Sequence, residues 1–114
     1  MDIRQLLIAD GPVDLAGLQA LSAPPPQLVI VFGSVDRLAA PGLLDTLRSA
    51  FPQATLAGCS TAGEIMGTQV ESGTLTLSAI HFDRVEVRQA TSTLAAMDDS
   101  GICGEMLGSQ LAGA

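Results

Sequence analysis

The sequence predicts an α/β domain: a mixed sheet with a parallel β-α-β core followed by an antiparallel meander, with helices packed on the sheet. Three observations carry this. Leu28-Val29-Ile30-Val31-Phe32 is an unbroken apolar run, which suits a central parallel strand buried on both faces. Leu43, Leu44, Leu47 and Ala50 recur at helical spacing between Pro41 and Pro52, and a second strand-like run, 54–57, follows at once. From Thr74 to Phe82 the pattern switches to alternation, with Leu75, Leu77, Ala79 and His81 on one face.

Ile3 to Ile8 reads as a first strand. Pro12 is expected at the first position of a helix running to Ser22, with Asp14 near its positive end and Leu15, Leu18 and Leu21 as its apolar stripe. Pro24-Pro25-Pro26 ends that helix and makes a rigid connector. Residues 28–57 then form a β-α-β crossover, expected to be right-handed. Ile65 to Val70 is a strand candidate, and Glu71-Ser72-Gly73 is a turn. After the alternating run 74–82, Asp83-Arg84 turns the chain into another alternating run, Val85 to Thr91, which completes the meander. Asp98-Asp99-Ser100 caps a last helix, with Ile102, Cys103, Met106, Leu107, Gln110 and Leu111 facing inward.

The chain's 114 residues suit one domain. With no Trp or Tyr and only three Phe, its core has to be aliphatic. The formal charge is -7, and the five cations are arginines scattered at 4, 37, 48, 84 and 88. A nucleic-acid or acidic membrane surface calls for clustered cations, so neither partner is expected. No apolar run approaches the roughly 20 residues needed to span a bilayer, and Met1-Asp2-Ile3-Arg4 does not open like a signal peptide. Two cysteines without a spacing pattern, 59 and 103, and a single histidine argue against a disulfide framework or a zinc site and for reduced thiols in the cytoplasm.

One stretch is not explained by packing. Gly58-Cys59-Ser60-Thr61-Ala62-Gly63 is a row of small residues closed by Glu64. Its bulk is low and its N–H groups are dense, so a ligand or another surface can approach the main chain. It follows a strand, where open α/β sheets place their ligand crevices. Gly58, Cys59, Ser60, Thr61, Ala62, Gly63 and Glu64 are the candidate ligand-binding residues. The N–H row would grip an anionic group such as an amino-acid carboxylate, and Glu64 an amine. The structural alternative is a tight connection packed against the protein itself. A thiol enzyme built on Cys59 would need a base, and only His81 is available. No catalytic activity and no metal are expected.

Val31-Phe32-Gly33-Ser34, Phe51-Pro52-Gln53-Ala54, Gly58-Cys59-Ser60-Thr61-Ala62-Gly63-Glu64-Ile65, Ala79-Ile80-His81-Phe82-Asp83 and the Asp99-Ser100 helix together resemble the FIST N-terminal domain. The resemblance runs from about Leu28 to Leu111 and is most specific in the Gly58–Ile65 block. It implies a bacterial signal-input module that binds a small, amino-acid-like ligand. Its implied outputs are histidine kinases, cyclic-di-GMP enzymes or chemoreceptors. Some relatives bind haem and respond to nitric oxide. That makes His81 the haem candidate, with Cys59, Cys103 or a Met as other axial choices; apart from this alternative no cofactor is expected. Family members usually carry a second, C-terminal FIST domain, so the chain is expected to be a fragment or a minimal single-domain form. An open edge strand in the meander would leave room for a homodimer.

Overall fold

The computed structural model describes residues 1–113. Four strands form the main sheet in the order β1-β6-β2-β3: β1 (Asp2–Ile8), β2 (Leu28–Gly33), β3 (Thr55–Ser60) and β6 (Leu75–His81). β2 and β3 are parallel, while β6 is antiparallel to both β2 and β1. The α/β class, the mixed sheet and the parallel β-α-β core are as the sequence predicts. Two short strands, β4 (Glu64–Met66) and β5 (Gln69–Glu71), make a separate hairpin. Gly67, at φ +61, turns it.

The core lies on one face of the sheet. Val29 and Val31 of β2 and Leu75, Leu77 and Ala79 of β6 meet Leu18 and Leu21 of α1 (Leu15–Leu21). Leu47 of α3 (Leu43–Ala50) and Phe51 close the cluster. All but Phe51 are aliphatic, as the composition requires. β2 is not buried on both faces. Leu28 and Ile30 are half-buried and Phe32 is 40% exposed, so the second side of this strand is only partly covered.

Other local expectations need correction. α1 starts at Leu15 rather than Pro12, because Asp14 is the N-cap: its side chain accepts from the Ala16 N–H at 3.1 Å. A short helix not foreseen, α2 (Val35–Leu38), follows β2 and is capped by Ser34. α3 starts one residue after its N-cap Gly42, which sits at φ +81, and Leu44 points outward at 51% exposure. The strand expected at 54–57 continues to Ser60, so Gly58, Cys59 and Ser60 belong to β3. The stretch 65–70 is a hairpin rather than one strand.

The largest departure is at the C-terminal end. Residues 82–96 form no strand, so the second half of the expected meander is absent. The reason lies in the sheet order. β6 already has β1 on one side and β2 on the other, and no edge of it is left for 85–91 to pair with. After a 3₁₀ turn at Met97–Asp99, α4 (Ser100–Leu111) buries none of its residues. Most of its expected inward stripe is exposed, Ile102 by 62%, Met106 by 50% and Leu111 by 40%, and only Cys103 and Leu107 are half-buried.

Candidate functional site

The small-residue run divides into three parts with different surroundings. Gly58 is fixed by its own sheet. Its φ is +152, and a Cβ there would lie 1.8 Å from the Val31 carbonyl oxygen. Only glycine fits that backbone, so this residue serves the β2–β3 pairing.

Glu64, at the other end, is turned inward and 1% exposed. Its Oε2 accepts from Thr61 Oγ1 at 2.6 Å. Its Oε1 accepts from the Thr74 N–H at 2.8 Å and from Thr74 Oγ1 at 2.6 Å. Those bonds favour the ionised form, the Thr61 hydroxyl most, and hold the carboxyl below its ordinary range despite burial. Both oxygens are engaged by the protein, three of the carboxylate's roughly four lone-pair directions are used, and at 1% exposure the group is not open to an approaching amine. What the carboxylate does is tie strand ends together. The Thr61 N–H donates to Gly33 O at 2.8 Å and the Ser34 N–H to Thr74 O at 3.1 Å. The ends of β2, β3 and β6 are thereby cross-linked through one buried acid. Thr74 and Ser34 were not among the sequence candidates. A threonine after a turn signal does not announce its partner.

Between these anchors, Cys59, Ser60, Ala62 and Gly63 are exposed and Thr61 is half-buried. Among the described residues, no main-chain bond outside regular elements engages the N–H of Ala62 or Gly63. Next to this segment lies a crevice of about 330 Å³, lined by Val31 of β2, Leu38 of α2, Leu43, Leu44 and Leu47 of α3, and 56–59 of β3. It sits toward the carboxyl ends of the two parallel strands, under the helices that connect them. Its lining contains no charged residue. None of the five leucines is a ligand candidate in the sequence, where Leu43, Leu44 and Leu47 read as the inner side of a helix. The readable signal was Leu44, an apolar side chain beyond what one helix face needs.

His81 lies elsewhere. It ends β6, opposite Asp2 of β1. Its Nδ1 is 2.8 Å from the Pro25 carbonyl oxygen, and because a carbonyl only accepts, Nδ1 carries the proton. Only Nε2 is left for a ligand, and Asp83 Oδ1 is 3.9 Å from it. Cys59 is level with Thr76, two strands away from β6 through Phe32. Strand geometry therefore separates Cys59 from His81 by roughly 15–20 Å, and no thiol–imidazole pair forms. Cys59 and Cys103 are both free thiols. Among the described residues, no group of three His, Cys, Asp or Glu side chains is placed to hold a metal, and no helix is long and apolar enough to cross a membrane.

No curated protein and no solved structure matched the chain in comparison. The model of the FIST N domain matches residues 27–114, which includes β2, β3, the hairpin, β6 and every residue of the crevice. That match covers most of the chain, which therefore belongs to the FIST N domain family, a family of sensory signal-transduction domains.

Proposed function

We propose that this chain is a sensory input domain that binds a small ligand in the crevice beside β3 and passes the bound state to a partner domain or protein. The observation that carries the reading is the position of that crevice. It lies at the carboxyl ends of a parallel strand pair, where α/β sheets bind ligands, and exposed small residues continue from its rim. An amino-acid-like molecule suits it. An apolar side chain would rest on Leu38, Leu43, Leu44 and Leu56. A carboxylate would face the N–H groups of Ala62 and Gly63, as in a backbone nest. Glu64 acts here as a positioning residue that holds Thr61 and thus the loop. The reading involves binding without turnover. Histidine kinases or cyclic-di-GMP enzymes are the outputs that the family suggests.

Thermal unfolding with a panel of apolar and polar amino acids tests it. A ligand at about 100 times its Kd should stabilise the fold by about 2.7 kcal/mol. Leu44→Trp, which fills the crevice from its exposed side, should abolish that gain and leave the unliganded midpoint nearly unchanged. If no apolar amino acid raises the midpoint, the proposal fails.

A further inference from the structure

The sheet has two edges, and they differ in charge. β1, at one edge, carries Asp2 and Arg4, 3.5 Å apart. β3, at the other, reads Thr55-Leu56-Ala57-Gly58-Cys59-Ser60, without a charge or a proline, and 57–60 are exposed. Open edges are ordinarily blunted by charge, proline or a cover. This one is bare.

Its hydrogen-bonding pattern can be read from its ends. The Thr55 N–H donates to Gln27 O at 2.9 Å and the Thr61 N–H to Gly33 O at 2.8 Å. In a parallel ladder a residue directs both main-chain groups to the same neighbour, so 55, 57, 59 and 61 face β2. The N–H and C=O groups of Leu56, Gly58 and Ser60 therefore point out of the sheet.

The geometry points to this edge as a self-pairing surface, on which β3 of a second copy adds antiparallel about a two-fold axis at Gly58. In that register the outward groups match. Leu56 opposes Ser60 of the other copy and Gly58 opposes its own counterpart, each pair exchanging both main-chain bonds. Ala57 and Cys59 meet across the junction in non-bonded pairs. A slip by one residue would set outward groups against inward ones. Charge selects the edge as well. Two chains of net charge -7 repel, and β3 brings no like charges face to face. A β1–β1 pairing would bring together Asp2, Arg4 and the Met1–Asp83 ion pair. The crevice is walled by 56–59 of this same strand, so the second copy would border it. That last consequence rests on the ligand reading; the pairing itself does not.

The test uses the full chain without added ligand. Sedimentation should show a concentration-dependent dimer. In a Cys103→Ser background, Ala57→Cys should give a covalent dimer on mild oxidation, because non-bonded antiparallel pairs lie about 4.5 Å apart at Cα, within disulfide reach. Adding Cys59→Ser removes the facing thiol and leaves the introduced one roughly 7–8 Å from its counterpart, so the cross-link should fall at least about tenfold. Ala57→Lys in the otherwise unchanged chain should weaken the dimer about tenfold or more by placing charge on the edge. A monomer at every concentration overturns the proposal. So does cross-linking that ignores Cys59→Ser, or a dimer that Ala57→Lys leaves intact while circular dichroism shows a native fold.

Discussion

Helix α3 places Leu47 in the core at 2% exposure, whereas the longer α4 buries none of its residues. Both sequences present apolar residues at helical spacing. The difference lies in what the chain does on either side. α3 connects two strands that pair in parallel, and such a crossover has to lay its helix back on the sheet. α4 follows residues 82–96, which form no strand, and its side-chain bonds go to that segment: Cys103 Sγ to Thr93 O at 3.4 Å and Gln110 Nε2 to Thr91 O at 3.3 Å. Periodicity shows which side of a helix is apolar. Whether anything faces that side is decided by the sheet.

The comparison is broken most severely from within the sheet. Gly58→Val should be the most damaging substitution in the chain. It combines a Cβ 1.8 Å from a carbonyl oxygen with a backbone that L residues avoid. A loss of about 4 kcal/mol or more is expected, a large part of a domain's total stability. Urea unfolding measures it, and a variant as stable as the parent would show that β3 does not need glycine. Leu47→Ala comes next, at about 2–5 kcal/mol for a buried leucine. A loss under about 1 kcal/mol would place α3 with α4, as a helix whose packing contributes little.

Glu64→Gln is expected to have a smaller effect and is best read through pH. The folded-state pKa of Glu64 is lowered, chiefly by the Thr61 hydroxyl and then by Thr74. Its contribution is therefore complete above the ordinary glutamate value of about 4.3 and is lost as pH falls through the lower folded value. The parent's melting midpoint should drop in that acid window. The variant should start lower at neutral pH and lose less on acidification. Parallel acid limbs for the two proteins would remove Glu64 from the account.

The sequence disclosed most where a pattern had a physical reason to be local. The run Leu28–Phe32, the proline-bounded helix and the alternation of 74–82 each appear close to where they were read. It disclosed less where the answer depended on distant partners. The alternation of 85–91 is as regular as that of 75–81, but β6 has both sides taken. Gly58 was read as an opening for a ligand and is instead a seat for the Val31 carbonyl. The sequence reading gives Glu64 to a ligand's amine, and nothing local shows that Thr74, ten residues on, would receive it. The crevice itself was half legible: its β3 wall lies in the small-residue run, while its leucines looked like ordinary core.

The mildest substitution probes α4 directly. Ile102 is 62% exposed, and its helix has no fully buried residue. Ile102→Ser should therefore change stability by no more than about 0.5 kcal/mol, the range of surface substitutions. Replacing an exposed β-branched apolar residue removes little burial, and serine costs only a few tenths in helix propensity. The same substitution in a helix packed like α3 would cost several times more. Paired urea titrations of Ile102→Ser and Leu47→Ala thus give the contrast as one ratio. If the two losses are alike, the apolar side of α4 is covered in solution by something that the fold of one chain does not supply, and the comparison between the helices would have to be redrawn around that contact.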